Sequence, residues 1–409
     1  MNASPRTHSS RTAVHRIAIA RLISVTGGAA AYTALMATIY DLTDRSPAWL
    51  SATLLLTFGV GGFVGPVAGH LGDRFDRRRV MIVSELIGAA AFAGMAVVRG
   101  PVALLSFAFI SAVADQPFFA ASRVAIPNLI DDESQLAWAN SWVSVGVNAG
   151  ITLGPVLGGV FVGVGASWVF AANALTFLAS VCLVWSVRRP FAGSHSEEEV
   201  EEHRGIVAGF RFIGRDPLLL RIVAASGMMV LGLGMAMVAD RPLAEQFGAG
   251  DRGFGLIISC WGAGSVIGSF LGRRLTERIE RRWLLLGMCG ITATAMAMGM
   301  SPAFWPILVL VFVNGSSDAI AIVADQGIKQ RRTPDVVRAR VMSASEAVAH
   351  ISLALGYALA GPLLALTSAQ GLYVIAGLSS GVATLMLLPL VTRKEPLAPI
   401  VERPPAPAG

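Results

Sequence analysis

The sequence is poor in charge. Only 14% of its 409 residues are Asp, Glu, Lys or Arg, whereas 54% are hydrophobic. A soluble domain carries about 25% charged residues. The deficit excludes an ordinary soluble domain, and long apolar runs separated by short polar segments favour a membrane protein that crosses the bilayer many times.

Cysteine is scarce, and two short enzyme motifs are missing. Cys182, Cys260 and Cys289 all lie in apolar runs, and no CxxC pair occurs, so the sequence predicts neither disulfides nor a metal site. It contains no HExxH motif and no GxxxxGK[ST] phosphate-binding loop. We therefore expect no enzyme activity, no cofactor, and no ATP-driven transport by this chain alone.

Apolar runs of membrane-spanning length dominate the chain. A spanning helix needs about 20 mostly apolar residues, and the runs do not alternate as membrane strands do. We predict an all-α protein with twelve spans, at residues 16–40, 48–71, 80–99, 101–123, 140–164, 167–187, 217–239, 253–273, 283–301, 303–327, 341–367 and 370–391. They divide the chain into an N-terminal tail (1–15), a six-helix bundle (16–187), a polar linker (188–216), a second six-helix bundle (217–391) and a disordered Pro-rich tail (392–409).

Lysine and arginine gather at one end of the predicted spans. With the N-terminus inside, only four of the 32 basic residues fall at outer ends, namely Arg45, Arg99, Arg241 and Arg252. The positive-inside rule then places both termini in the cytoplasm and the protein in the cytoplasmic membrane. The net charge of +6 reflects this topology rather than nucleic-acid binding, because the basic residues are dispersed in short clusters.

The two halves of the chain repeat. A triplet of glycines spaced four apart occurs twice, 203 residues apart, as Gly61, Gly65, Gly69 and as Gly264, Gly268, Gly272. Small residues at every fourth position let helix backbones approach closely. We interpret the chain as two homologous six-helix halves running in the same direction, an arrangement typical of transporters with a central binding site.

The loop after the second span carries the most specific motif. It reads GHLGDRFDRRR at residues 69–79 and resembles the signature G-x-L-a-D-R-x-G-R-[KR] of the major facilitator superfamily. The matching positions are Gly69, Leu71, Asp73, Arg74, Arg77 and Arg78, while Asp76 stands where the family usually has Gly. The resemblance implies two six-helix bundles that transport a solute by alternating access.

A second motif lies in the fifth span. The segment GVNAGITLGPVLGG resembles the Gly-Pro motif of the drug:proton antiporter branch, through Gly150, Gly154, Pro155, Gly158 and Gly159. The resemblance implies a seal against leak in the outer half, although close helix packing alone would also explain the glycines. The segments at residues 122–141 and 330–347 resemble loops of bacterial exporters of the macrolide and siderophore type.

The resemblance also implies an inner gate. In the family resembled, the loop Asp holds the two halves together when the outside is open, and Asp73 is the matching residue. The implied gating residues are Gly69, Asp73, Arg74, Arg77, Arg78, Glu85, Arg123 and Arg340. The alternative is that the arginines only fix topology and that Asp73 is a solvated loop charge.

Ionisable residues inside spans usually face a cavity or a partner. Asp115 and Asp318 lie deep in the fourth and tenth spans, and Glu346 and His350 are four apart on one face of the eleventh. A carboxylate in an apolar site, or a histidine, can exchange protons near neutral pH, so these four are candidates for proton coupling. For Glu346 and His350, a structural hydrogen-bonded pair is an equal alternative.

Other polar residues inside the spans are candidates for contact with a substrate: Arg21, Tyr32, Gln116, Asn148, Asn173 and Asn314. Hydrogen bonding between helices, or for Arg21 snorkelling to the inner surface, would explain each of them equally well.

The sequence therefore predicts a secondary active transporter that exports a small amphipathic compound, such as a drug or a secondary metabolite, in exchange for protons. The alternatives are a proton-coupled importer and a non-transporting receptor or scaffold. The expected partners are the small-molecule substrate, protons and the lipid bilayer. We expect no nucleic-acid partner, and a monomer.

Overall fold

The computed structural model describes residues 5–59, 64, 75–130, 135–187, 206–272 and 277–392, and over these residues the regular structure is helical throughout. A 3₁₀ turn at Val162–Val164 separates two of the helices. The described α-helices are α1 (Pro5–Leu42), α2 (Pro47–Thr57), α3 (Arg77–Val97), α4 (Pro101–Leu129), α5 (Leu136–Phe161), α6 (Ala166–Ser186), α7 (Ile206–Arg215), α8 (Pro217–Gln246), α9 (Gly250–Gly272), α10 (Glu277–Gly299), α11 (Phe304–Arg332), α12 (Asp335–Leu366) and α13 (Ala369–Thr392).

Residue choice explains several helix starts. Pro47, Pro101 and Pro217 are the first residues of α2, α4 and α8, where the missing N–H removes no helical hydrogen bond. Asp216 caps α8, since its carboxylate accepts the N–H of Leu218 at 2.9 Å. Such a cap satisfies a backbone donor that the helix itself leaves unpaired.

Ten of the described helices are long and apolar enough to cross a membrane. They are α1, α3 to α6, α8, α9 and α11 to α13. The second predicted span is described as a helix only over Pro47–Thr57, and the ninth corresponds to α10, which has 23 residues. Spans one to six thus correspond to α1–α6 and spans seven to twelve to α8–α13, which confirms the predicted fold class.

The helix pairings repeat between the two halves. In the first half α1 packs on α5, and α3 packs on both α4 and α6; in the second, α8 packs on α12, and α10 packs on both α11 and α13. Each pair in the first half has its counterpart in the same position in the second. The repeat predicted from the glycine triplets is therefore a repeat of helix packing.

The two ends of the molecule differ in how the halves meet. We call the end where α1 and α8 begin the basic end, and the opposite one the far end. The halves meet mainly where α5 packs on α9 and α2 on α12. At the far end one buried apolar cluster joins Met36 and Leu50 of the first half to Phe254 and Tyr357 of the second. The other described clusters each contain membrane helices of one half only.

Three boundaries differ from the sequence prediction. The first helix begins at Pro5 rather than at residue 16, so the predicted polar tail is helical over residues 5–15. The linker is not wholly irregular, since α7 forms at Ile206–Arg215 and packs against α12. Span seven runs to Gln246 rather than ending at residue 239, which changes the environment of two charged residues discussed below.

The second glycine triplet packs as predicted at two described positions. A Cβ on Gly264 would lie 2.0 Å from the Phe312 carbonyl oxygen, and one on Gly268 would lie 2.2 Å from that of Ser316. Only glycine allows α9 and α11 to approach this closely. The first triplet, the loop residues Asp73 and Arg74, and the predicted tail at residues 393–409 lie outside the described residues.

Candidate functional site

A cavity of about 150 Å³ lies within the second half, between α8, α9, α10, α11 and α13. Most of its wall is apolar, with Met229, Met237, Met298, Ile257 and Val311 among the lining residues. Tyr32 of α1 closes it from the first half. Apolar walls of this kind bind compounds through surface burial, and flexible methionines adapt to different shapes.

The polar groups of the cavity are few and acidic. Asp318 of α11 lines it and is 6% exposed. Asn314 lies one turn earlier and donates to Thr294 Oγ1 at 2.7 Å. No Lys, Arg or His is among the described lining residues. An unpaired carboxylate in such surroundings is a site where a proton or a cation is strongly favoured.

A second carboxylate, Asp240 of α8, also lines the cavity. The Tyr373 hydroxyl of α13 donates a hydrogen bond to it. Neither Asp240 nor Tyr373 is among the candidates predicted from the sequence. The predicted apolar run ends at residue 239, which places Asp240 beside the outer loop. No local signal identifies Asp240, because the segment VADRPLAEQ carries three charges and Pro242, a residue that usually ends a helix but here lies inside α8.

A separate charged cluster lies inside the first half. Arg21 of α1 is 5% exposed; it donates to Ser122 Oγ at 2.8 Å, and its guanidinium carbon lies 4.7 Å from the ring centre of Phe118. Asp115 of α4 and Glu85 of α3 both interact electrostatically with Arg21. The predicted candidates Arg21 and Asp115 therefore belong to one site, but neither lines the cavity of the second half.

Glu85 corrects one expectation. It was expected to support the charged loop before α3, but it is 2% exposed and lies beside Asp115 and the hydroxyl groups of Ser24 and Ser180. One carboxylate oxygen, Oε2, is buried without a hydrogen-bond partner among the described residues. The face of α3 that carries Glu85 points into its own bundle, so this residue belongs with the buried acids rather than with the loop.

The far end holds an ion cluster around Arg241. This side chain is 4% exposed; its Nη1 donates to Glu245 Oε2 at 2.9 Å, and its Nη2 lies 2.7 Å from Asp251 Oδ1 and 3.8 Å from Asp41 Oδ1. The Tyr40 ring centre lies 4.9 Å from the guanidinium carbon. The sequence analysis gave Arg241 only a topological role, since its span was predicted to end two residues earlier.

This far-end ion cluster, defined as Asp41, Arg45, Arg241, Glu245 and Asp251, joins the two halves. Arg45 extends from the loop after α1 and lies 3.1 Å from Glu245 Oε1. It has φ of +63°, in the left-handed region. Because Asp41 and Arg45 belong to the first half and the other three to the second, the cluster fastens the halves where the apolar contact is also continuous.

The Gly-Pro motif of α5 lies between α1 and α9. Cβ atoms on Gly150, Gly154 and Gly158 would all come within 2.9 Å of α1, and one on Gly159 would lie 2.6 Å from the Asp251 carbonyl oxygen on α9. The carbonyl oxygen of Pro155 in turn lies 2.4 Å from a Cβ built on Gly255 of α9. The motif therefore lets α5 contact both halves at once, towards the far end.

The described part of the charged loop begins at Phe75. Asp76 has φ of −55° and accepts the N–H of Arg79 at 2.9 Å, so it caps α3 without needing the glycine usual at this position. Arg77 is buried, and Arg78 donates to the Trp185 carbonyl oxygen of α6. Both arginines thus hold the start of α3 within the first half.

The remaining predicted gating residues are only partly described. The backbone of Arg123 lies in α4, but its side chain is outside the described part of the chain, as are Gly69, Asp73 and Arg74. The carbonyl oxygen of Arg340 lies 2.2 Å from a Cβ built on Gly209, so α7 packs directly on the start of α12. The expected contact of Asp73 with Arg123 or with α12 stays a prediction.

Four other candidates lie apart from the cavity. Asn148 is exposed on α5, and Gln116 is half-buried on α4. Glu346 and His350 are both exposed, and the His350 Nδ1 contacts the backbone oxygen of Glu346 at 2.9 Å rather than its carboxylate. The expected side-chain pair of Glu346 and His350 is therefore not formed in this structure.

Asn173 has a packing role. It is 1% exposed, accepts the Thr176 hydroxyl at 2.9 Å, and lies so close to Gly27 of α1 that a Cβ there would be 2.4 Å away. It borders a separate apolar groove between α1, α5 and α6. Of the six predicted substrate contacts, the cavity of the second half thus includes only Tyr32 and Asn314.

One serine motif of hydrolases occurs in the chain without its structural setting. Residues 377–381 read GLSSG and fit GxSxG, a motif whose serine lies on a sharp turn between a strand and a helix. Here the segment lies inside α13, and Ser379 Oγ donates to the Met228 carbonyl oxygen at 2.7 Å. This serine therefore links two helices.

Comparison with known proteins gives a consistent result. A family profile described as Major Facilitator Superfamily matches residues 17–239 and, in a second match, residues 222–408. The chain is 22% identical over 334 residues to the "Putative bacilysin exporter BacE" of Bacillus subtilis (strain 168), covering 80% of this chain and 82% of that one. It is also 22% identical over 224 residues to the "Uncharacterized MFS-type transporter YfmI" of the same organism.

The match to YfmI covers 53% of this chain and 55% of that relative, so the chain spans about half of its length. Among solved structures, the nucleoside transporter NupG superposes with a TM-score of 0.73 at 12% sequence identity. The superposition covers 93% of this chain and 99% of NupG. At this identity the likeness concerns the fold alone.

Proposed function

Because the chain belongs to the major facilitator superfamily, and is thus a multi-pass membrane transporter and not an enzyme, we propose that it exports a small amphipathic compound in exchange for protons. One observation carries the proposal. The cavity combines an apolar wall with two carboxylates, Asp240 and Asp318, and its described lining has no basic residue. An apolar wall suits an amphipathic compound, and a poorly solvated carboxylate suits a proton carrier.

Asp318 is the proposed proton carrier of the cavity, and Asp115 is its counterpart in the first half. Both are carboxylates on membrane helices, without an ion pair within 4 Å among the described residues. A neutral carboxylic acid is far easier to hold in apolar surroundings than a carboxylate. Protonation would therefore allow the protein to adopt a closed state in which each side chain is shielded from water. Each side chain would lose its proton once it is exposed to the cytoplasm.

Alternating access would use the far-end ion cluster as the outer gate. The cross-half contacts described above, α5 on α9 and α2 on α12, together with the cluster around Arg241, support a state closed at the far end. The opposite state would need these contacts to separate and the loop with Gly69, Asp73, Arg74, Arg77 and Arg78 to close the basic end. The major facilitator fold permits this rocking of one bundle against the other.

The direction of transport rests on orientation. We place the basic end in the cytoplasm, with both termini there and the protein in the cytoplasmic membrane, because basic residues concentrate at cytoplasmic helix ends. A cavity reached from that end accepts cytoplasmic compounds. BacE, a relative at 22% identity, carries the word exporter in its name, which supports the same direction for this chain.

Everted membrane vesicles test the proposal. In these vesicles the cytoplasmic side faces the medium, so export appears as uptake of a labelled compound. A panel of small amphipathic compounds should show uptake that an acidic lumen stimulates and that a proton ionophore abolishes. Asp318→Asn should remove the stimulation. If wild-type uptake were independent of the pH gradient for every compound taken up, this result would contradict proton exchange.

A further inference from the structure

Asp240 is the acidic group of the cavity whose surroundings are most unusual. It lines the cavity together with the aromatic side chains of Tyr32, Trp261 and Tyr373, and these three pack with Tyr357 in the adjoining apolar cluster. Tyr373 donates a hydrogen bond to the carboxylate, while Tyr32 and Tyr357 are close enough to interact with its charge. A carboxylate with several aromatic side chains nearby is a combination that can recognise an ammonium group.

The charge of Asp240 is not neutralised by its neighbour in sequence. Arg241 is directed into the far-end ion cluster, where Glu245, Asp251 and Asp41 already surround it. No ion pair of Asp240 occurs within 4 Å in the described chain, and the described cavity lining has no basic residue. Asp240 is half-buried beside the apolar wall of the cavity, where a carboxylate that no described cation pairs is unfavourable, so a ligand can supply the positive charge.

Asp240 and Asp318 have different neighbours and therefore different roles. Asp318 lies on α11, one turn after the amide of Asn314, and no aromatic side chain holds it by a hydrogen bond in the described chain. Asp240 is fixed by Tyr373, and Tyr32 and Trp261 line the cavity with it. The proton is thus assigned to Asp318, and the aromatic site to the substrate.

We propose that Asp240, positioned by Tyr373 and flanked by Tyr32 and Trp261, binds the ammonium group of a small monocationic amphipathic substrate. The apolar part of the substrate then lies along the methionine and isoleucine side of the cavity. This assignment rests on the proposed export function, whose substrate class it narrows from amphipathic compounds to organic cations. It excludes organic anions, because two carboxylates would repel them in poorly solvated surroundings.

Equilibrium binding to the full-length protein in lipid nanodiscs tests the site without requiring transport. The probe is radiolabelled phenyltrimethylammonium, measured at one pH with empty nanodiscs as background. Unlabelled phenyltrimethylammonium should compete, whereas tert-butylbenzene, which has the same shape without charge, and the anion benzenesulfonate should not. Equal competition by all three compounds would overturn the proposal, since binding would then be independent of charge.

The variants identify the group that binds the cation. Asp240→Asn should weaken binding about tenfold or more, a loss equivalent to about 1.4 kcal/mol, whereas Asp240→Glu should bind within about threefold of wild type. Trp261→Leu should weaken binding about threefold to tenfold through loss of cation–π attraction. Asp44→Asn, which removes an exposed carboxylate outside the cavity, is the matched control and should bind as wild type.

The outcomes separate this inference from the proposed function. Cation binding that depends on Asp240, in a protein whose vesicles show no pH-driven uptake, would support the site and contradict proton exchange. The converse result, pH-driven uptake together with undiminished cation binding by Asp240→Asn, would overturn the site and leave the export function standing. The binding of Asp240→Glu shows whether the position tolerates substitution. It therefore distinguishes loss of the carboxylate from misfolding as the cause of weaker cation binding in Asp240→Asn.

Discussion

Asp240 and Arg241 are consecutive residues of α8, yet Asp240 lines the cavity whereas Arg241 is buried in the far-end ion cluster. A single peptide bond therefore links the proposed substrate site to the proposed outer gate. Separation of the halves would break the contact of Arg241 with Asp41 of α1 and would move α8, which carries Asp240, relative to α1, whose Tyr32 lines the same cavity. Occupancy of the cavity and opening of the far end are thus expected to influence each other through a direct covalent connection.

Replacing Arg241 by Gln should favour opening at the far end. Among the described ion pairs of Arg241, the one with Asp41 at 3.8 Å joins the two halves, and that carboxylate is exposed. Its loss is therefore worth about 1 kcal/mol or less, which shifts the equilibrium by up to about fivefold. Distances between spin labels at Asp44 and Ala249, on the two halves, should shift towards longer values. Arg252→Gln, which changes an exposed arginine of α9, serves as the control. Identical distance distributions in Arg241→Gln and wild type would show that the cluster does not hold the gate.

The glycines of α5 and of the 3₁₀ turn after it should tolerate substitution only where there is space. A Cβ on Gly158 would lie 2.4 Å from the Ala30 carbonyl oxygen, whereas one on Gly163 would have no atom within 4 Å. Gly158→Ala should therefore reduce stability by about 1–3 kcal/mol through overpacking, with little change for Gly163→Ala. Thermal unfolding of the purified variants measures the difference. Equal melting temperatures would mean that α1 and α5 do not need this close approach.

Asp115→Asn and Asp318→Asn should separate proton coupling from substrate passage. Each variant should reduce pH-driven uptake into everted vesicles about tenfold or more, since an amide cannot carry the proton. Exchange of labelled for unlabelled substrate across the membrane should continue, because it needs no net proton movement. If both variants kept wild-type pH-driven uptake, the proton would have to bind elsewhere, and Glu346 and His350 would be the next pair to replace.

The orientation predicts which sites are accessible from outside intact cells. In a background in which Cys182, Cys260 and Cys289 are replaced by serine, Asp44→Cys should react with a membrane-impermeant maleimide added to the medium. Arg211→Cys, on the exposed side of α7, should react only after the membrane is permeabilised. Labelling of Arg211→Cys in sealed cells would invert the orientation and, with it, the proposed direction of transport.

The fold could be predicted from the sequence because its cause is local. Runs of about 20 apolar residues form helices in a bilayer, since a helix satisfies the backbone groups of a single segment within that segment. The glycine triplets marked the repeat because close packing needs small residues wherever it occurs. Boundaries were less certain: the helix of α1 reaches back to Pro5, because polar residues beyond an apolar run can still continue a helix.

The candidate site could be predicted only in part, because it depends on contacts between distant segments. Asp318, Asn314 and Tyr32 were found from their depth inside apolar runs. Asp240 was missed, since the charges and Pro242 that follow residue 239 favour a helix end. The helix α8 instead continues to Gln246, with Arg241 paired to carboxylates on α1, α8 and α9. Nothing near Arg241 in the sequence identifies Asp41 as its partner.

Glu85 illustrates the same limit in the opposite direction. Its closeness in sequence to the arginine-rich loop suggested a gating role. In the fold, Glu85 on α3 lies near Asp115 of α4 and the region of Arg21 of α1. Of these two helices, α1 is distant from Glu85 in the sequence. Sequence spacing gives the face of a helix on which a residue lies, but not which neighbour that face will meet.

The most direct test of the account is proton movement measured together with substrate movement. Proteoliposomes containing the purified protein and an internal pH dye are loaded with the compound that the vesicle panel shows to be exported most strongly, and are then diluted into compound-free buffer. Wild type should acidify the lumen as the compound leaves, and Asp318→Asn should release no more than a small fraction of it, without acidification. Exit of the compound from wild-type liposomes with an unchanged or rising internal pH would contradict exchange for protons.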